Sequence, residues 1–122
     1  MVDDDPDVRA AIGRLLRSAG FAAETFRSAY EFLGGRRWND VACLILDIRM
    51  PLMDGLTLQD RLAALGSTMP IVFITADDDG SAEERARAGG ALAFLRKPFD
   101  DEALLGAVRH ALSGEASPQS FL

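Results

Sequence analysis

Apolar residues along this chain recur in two alternating spacings, and the alternation predicts five strand-and-helix units. After Met1-Val2 comes the acidic run Asp3-Asp4-Asp5, then Pro6. Asp5 reads as a helix N-cap and the proline as the first helical residue, a place where its missing N–H costs nothing. Val8, Ala11, Ile12, Leu15, Leu16 and Ala19 keep helical spacing as far as Gly20, a suitable stop. Phe21 to Phe26 reads as a short strand. Ser28 caps a second short helix through Tyr30, Phe32 and Leu33, which ends at Gly34-Gly35, and Arg36 to Asp40 reads as loop.

Val41 to Leu46 is a continuous apolar run of strand length, the pattern of a strand covered on both faces, and it stops at Asp47. Beyond the loop holding Met50-Pro51 and Asp54-Gly55, Leu58, Leu62 and Leu65 mark a third amphipathic helix closed by Gly66. Pro70 leads into a second buried run, Ile71-Val72-Phe73-Ile74, which stops at Thr75. A fourth helix over Ser81 to Ala88 is polar except for its alanines and ends at Gly89-Gly90. Ala93 to Arg96 is a last short strand running into Lys97-Pro98-Phe99. The final helix starts near Asp100, carries Leu104, Leu105, Val108 and Leu112 on one face, and fades at Ser113-Gly114; Glu115 to Leu122 reads as tail or linker.

Strands alternating with helices call for a parallel sheet covered on both faces by right-handed crossovers, an α/β fold. In such sheets functional groups gather at the carboxyl ends of the strands. Asp3-Asp4, Asp47, Thr75 and Lys97 each follow an apolar strand segment, so the topology should bring them to one edge.

Composition narrows the picture further. The 122 residues, 48% of them hydrophobic, suit one domain with a real core and leave no room for a second. A formal charge of −6 opposes direct binding to nucleic acid or an anionic membrane, so any DNA-directed output needs another domain or chain. No apolar stretch approaches the roughly 20 residues of a membrane span, and no signal peptide opens the chain. A single cysteine, Cys43, lies in an apolar run, which excludes a disulfide framework, predicts a buried thiol and suits a reducing cytoplasm. Twelve arginines stand against one lysine, Lys97.

Three carboxylates converging within a few ångströms repel one another, and without compensation one takes up a proton. A hard divalent cation resolves the conflict. Magnesium prefers carboxylate oxygens and often bridges to phosphate, so an acidic half-site beside a hydroxyl and an ammonium suits phosphoryl chemistry. Asp47 is then the attacking oxygen, Lys97 neutralises phosphoryl charge, and the Thr75 hydroxyl donates to a phosphoryl oxygen. Each residue alone is ordinary: an acidic helix start, a strand-end aspartate, a strand threonine, a surface lysine. Their joint order carries the inference.

At these residues the sequence resembles the receiver domains of two-component response regulators, the CheY-like fold. The resemblance rests on Val2-Asp3-Asp4-Asp5 with Val8-Arg9, Leu46-Asp47-Ile48-Arg49-Met50-Pro51 with Met53-Asp54-Gly55, Ile74-Thr75-Ala76, and Gly90-Ala91 through Phe94-Leu95 to Lys97-Pro98-Phe99. Ser28 to Leu33 and Phe94 to Phe99 are most similar to the FixJ-type subgroup, whose members usually carry a helix-turn-helix output domain. It implies a five-stranded parallel sheet in the order 2-1-3-4-5, a receiver domain over 1–114, and a tail or linker over 115–122. It also implies a cytoplasmic signalling switch, not an enzyme acting on an outside substrate, that takes phosphate from a histidine kinase on Asp47. Asp4, Asp47 and the Arg49 main-chain carbonyl would hold Mg²⁺, with Asp3 supporting through water. Ala76 would leave space beside the phosphate, Lys97-Pro98 would be cis, and Phe94 would turn inward when Thr75 moves. The switch would be read on the face formed by the fourth helix, fifth strand and fifth helix, a possible homodimer surface.

Two departures stand out. Only Met1-Val2 precedes the acidic pair where the family has a full central strand, so either the true start lies upstream or an exchanged or intermolecular element or a shifted first strand fills the slot, with the α-amino group within roughly 10 Å of Asp4. Asp77-Asp78-Asp79 adds acidity after Thr75 and reads as a helix cap. His110, on the last helix away from the strand ends, is a poor phosphoryl carrier, and Trp38 reads as a partly exposed packing residue. Arg49 could pair with a carboxylate and restrict attacking water. Two other readings compete: a phosphohydrolase of the haloacid dehalogenase type, which needs an acid where Arg49 stands, and a receiver-like interaction module that is not phosphorylated.

Overall fold

The structure, a computed structural model, describes residues 1–35, 40–76 and 80–113. Its elements in chain order are α1 (Pro6–Ser18), α2 (Ala29–Gly34), β1 (Leu44–Asp47), α3 (Gly55–Ala64), β2 (Ile71–Thr75), α4 (Gly80–Ala88), β3 (Ala93–Arg96) and α5 (Asp101–Leu112). Helix starts follow local chemistry. The side chains of Asp5, Ser28, Asp54 and Asp100 accept from backbone N–H groups of the first turns of α1, α2, α3 and α5. Gly20, Gly66 and Gly90 take positive φ just after α1, α3 and α4, where a side chain would be strained.

The three strands form one parallel sheet in the order β1-β2-β3, with Leu44 opposite Ile71 and Val72 opposite Ala93. The two expected strands on the other side of β1 are reduced to single bridges, Val2 with Leu46 and Val2 with Phe26, both parallel. Across the sheet the order is therefore Phe26, Val2, β1, β2, β3, which preserves 2-1-3-4-5 while correcting the count of full strands. The physical reason is that a ladder needs consecutive partners. Only Met1 to Asp3 lies in the central slot: Val2 N–H donates to Ile45 O at 2.8 Å, Asp3 N–H to Phe26 O at 3.1 Å, and Phe26 N–H to Met1 O at 2.8 Å. Phe21 to Phe26 thus finds too short a partner to form the expected strand. Beyond Met1 the slot opens into a cavity of about 410 Å³, lined among others by Leu16, Phe21, Ala23, Cys43 and Val108.

Alternation along the strands divides the core in two. Leu44, Leu46, Ile71 and Phe73 face α2, α3 and α4 with Phe32, Leu58, Leu62 and Ala86. Ile45, Val72 and Ile74 face α1 and α5 with Ile12, Leu16, Leu104 and Val108. Each such leucine, isoleucine, valine or phenylalanine side chain contributes about 1.5–3 kcal/mol on burial. Strand β1 starts later than expected and takes in Asp47. Leu65 and Leu112, expected on helix core faces, are exposed: Leu65 is the C-cap that follows α3, and Leu112 ends α5 where it lines the cavity. Cys43 is half-buried rather than buried, since it lines the cavity. Trp38, Asp77 to Asp79 and the expected tail lie outside the described residues.

Candidate phosphoacceptor site

Asp47 is the last residue of β1 and is only 6% exposed. Its N–H donates to Val2 O at 3.0 Å, which sets the next residue, Asp3, beside it at the carboxyl edge of the sheet. Asp3 is fully buried and held from three sides. Its Oδ1 accepts from Asp5 N–H at 2.9 Å, its Oδ2 from Lys97 Nζ at 3.3 Å, and its carbonyl from Arg9 Nη1 at 2.8 Å. Asp4 is exposed, yet one carboxylate oxygen from each of Asp3, Asp4 and Asp47 falls within 4.8 Å of the others.

Lys97 reaches the cluster from the end of β3, where its N–H donates to Thr75 O at 2.7 Å and its bond to Pro98 is cis. Its Nζ lies 3.9 Å from Asp47 Oδ1 as well as against Asp3. Thr75 ends β2 with no exposed surface. The structure thus brings together Asp3, Asp4, Asp47 and Lys97, with Thr75 on the adjacent strand end.

One ammonium does not balance three carboxylates. Unit charges this close interact by about 3 kcal/mol at an effective dielectric near 20. Asp47 bears the consequence: burial first, and the charge of Asp3 next, push its carboxyl up to about 7 despite the opposing Lys97. A donor set of three carboxylates with two negative charges in excess fits a hard divalent cation. The Met1 ammonium does not supply the missing charge. It donates to Glu24 O at 2.9 Å on the cavity side, and burial lowers it to about 6.

Phe94 lies on β3 opposite Phe73, half-buried, with ring centroids 6.3 Å apart. His110 is exposed on α5, whose chain leads away from the strand carboxyl ends. Arg49 follows β1 by two residues and is exposed. Two residues quoted for the resemblance, Arg9 and Gly55, take roles that the sequence reading did not assign. Arg9 fixes the Asp3 backbone through its bond to the Asp3 carbonyl. Gly55 packs so closely that a Cβ there would sit 2.3 Å from the Asp47 carbonyl oxygen, for which the signal was a glycine opening a helix directly after its cap.

Comparison with known proteins agrees with this geometry. The family model for the response regulator receiver domain matches residues 1–109. The response regulator protein TodT of Pseudomonas putida F1 is 45% identical over 112 residues, which are 92% of this chain and 49% of that protein. The transcriptional regulatory protein FixJ of Azorhizobium caulinodans is 39% identical over 116 residues, 95% of this chain and 55% of that protein. Among solved structures, response regulator StyR has a TM-score of 0.86 at 48% identity, covering 98% of this chain and 60% of that one. FixJ-N has a TM-score of 0.84 at 34% identity, covering 93% and 90%. The chain belongs to the response regulator receiver domain family, the phosphorylation-activated switches of two-component signal transduction. Receiver domains of this family bind Mg²⁺ in an acidic pocket and interact with histidine kinases. The chain spans about half the length of the curated relatives it matches. Among the described residues no helix is long and apolar enough to cross a membrane.

Proposed function

We propose that Asp47 is the phosphoacceptor of this switch and that Lys97 and Thr75 complete its chemistry. The observation that carries this is Lys97 Nζ standing 3.3 Å from Asp3 and 3.9 Å from Asp47, at the only cluster of three potential metal ligands among the described residues. An ionised Asp47 oxygen attacks the phosphorus of a kinase phosphohistidine. The new O–P bond forms as the P–N bond breaks, and the departing imidazole nitrogen keeps the electron pair and takes a proton. Lys97 holds positive charge against the phosphoryl oxygens, and the Thr75 hydroxyl donates to one of them. Asp4, Asp47 and the Arg49 main-chain carbonyl would hold Mg²⁺, with Asp3 supporting through water; when bound, the ion supplies charge neutralisation. Arg49 would restrict the water that hydrolyses the aspartyl-phosphate, a self-catalysed reaction. Thr75 moving toward the phosphoryl group lets Phe94 turn inward, and α4, β3 and α5 present the change to partners, a second copy of this chain among them. The domain occupies 1–114, works in the cytoplasm, and passes its signal to a transcriptional output.

Beryllofluoride, a phosphoryl mimic, tests the assignment when added with Mg²⁺. Saturable binding that Asp47→Asn abolishes supports it. No binding to the wild-type chain at saturating Mg²⁺ would instead favour a receiver-like interaction module that is not phosphorylated.

A further inference from the structure

Helix α4 is poor in apolar anchors. Its buried residues are Ala82 and Ala86, which cover little area, so polar contacts carry a larger share of its attachment to β3 than in the leucine-bearing helices α3 and α5. One carboxylate supplies such a contact. Glu83 Oε1 accepts from Arg96 Nη2 at 3.0 Å, while its Oε2 accepts from Arg87 Nε at 3.0 Å and Nη2 at 2.9 Å.

Arg96 does more than join helix to strand. It lies opposite Thr75 in the β2–β3 register and two residues past Phe94, so Phe94 and Arg96 share one side of β3. The guanidinium carbon stands 5.4 Å from the Phe94 ring centroid, a cation–π distance. Glu83 therefore fixes the guanidinium, and the guanidinium covers the ring. The ring is only half-buried here, so turning inward beside Thr75 would increase its burial and take it away from Arg96.

We propose that the Glu83–Arg96 pair is a clasp on Phe94 that sets how readily the Thr75–Phe94 switch turns. Both are positioning residues, acting through Phe94. This rests on the reading of Thr75 and Phe94 as the switch and adds what tunes it. The two side chains are about one-third exposed, at 32% for Glu83 and 37% for Arg96, so the clasp is weak and its release is worth a few-fold in the switch equilibrium.

The test compares the wild-type chain with Glu83→Gln, Arg96→Gln and the double variant. One readout is beryllofluoride affinity at fixed Mg²⁺, and a second is the ring resonance of Phe94 in protein carrying labelled phenylalanine. The proposal expects each single variant to bind beryllofluoride about threefold to fivefold more tightly, and the double variant no more tightly than either single. It also expects the Phe94 resonance of the unliganded variants to move toward its position in the liganded wild type. Unchanged or weaker affinity with an unmoved resonance, in variants that keep their helical circular dichroism, overturns the clasp. A wild-type chain that fails to bind beryllofluoride overturns the phosphoacceptor reading, a result distinct from failure of the clasp alone.

Discussion

The amide of Asp47 donates to the carbonyl of Val2 at 3.0 Å, so β1 is registered against the backbone that carries Asp3 and Asp4. Among the described residues Val2 is the one that bridges both neighbours, and the cavity begins at Met1, which lines it. Continuing the chain ahead of Met1 with Val-Ile-Val should extend both ladders into that space. Burial of about 1.5–3 kcal/mol per side chain, less about 1–2 kcal/mol per ordered residue, leaves a net gain of about 1–3 kcal/mol. The expected result is a higher urea midpoint together with tighter Mg²⁺ binding. An unmoved midpoint would mean that the slot does not accept a strand.

Removing the Lys97 ammonium takes away the positive charge that buried Asp3 and Asp47 share. Lys97→Met should therefore cost about 1–3 kcal/mol in metal-free stability. Phosphate uptake from a small acyl phosphate should fall by at least about tenfold, because charge on the phosphoryl oxygens goes unmatched. Stability comes from denaturant titration and uptake from intact-protein mass. Uptake at the wild-type rate would remove Lys97 from the chemistry.

The Asp47 carboxyl, pushed up to about 7 by burial and by Asp3, gives the metal-free protein a pH signature. A raised carboxyl favours the folded state while it keeps its proton. That contribution is fully present below about pH 4, the ordinary carboxylate range, and is lost as pH rises through about 7. Chemical denaturation between pH 5 and 8 should show this decline in the wild type and a flatter profile in Asp47→Asn. Mg²⁺ needs the ionised form, so its affinity should climb by up to about tenfold per pH unit below 7 and then level. Parallel stability profiles for the two proteins would rule out the raised carboxyl.

Gly55 lies where a side chain cannot. A Cβ would stand 2.3 Å from the Asp47 carbonyl oxygen and 3.2 Å from the Ile48 Cα, both backbone atoms that cannot swing aside. Gly55→Ala should cost about 2–4 kcal/mol by forcing β1 and α3 apart. The same displacement should weaken beryllofluoride binding. A melting temperature within a degree of wild type would show that the close approach is not maintained.

Much of the fold was legible because its signals are local. The caps at Asp5, Ser28, Asp54 and Asp100 act on amides two or three residues away, and the apolar runs ending at Asp47 and Thr75 have strand length and strand composition. Where the reading failed, the missing information was non-local. Phe21 to Phe26 has the composition of a strand, yet strand formation depends on a partner distant in sequence, and among the described residues the pairing there is the single bridge of Val2 with Phe26. Leu65 and Leu112 keep helical spacing, but burial needs an opposing surface, and Leu65 follows the end of α3 while Leu112 faces the cavity.

By itself the sequence determined which groups stand at strand ends and their order along the chain, because hydrophobic periodicity places them there whatever the packing: Asp3 and Asp4, Asp47, Thr75, Lys97. Only the tertiary structure decided that one ammonium serves both Asp3 and Asp47, that Arg9 braces the Asp3 backbone, and that Arg96 lies over Phe94 in the grip of Glu83. Those pairings depend on distances between segments up to 94 residues apart in the chain, and such distances exist only once the sheet has set its register.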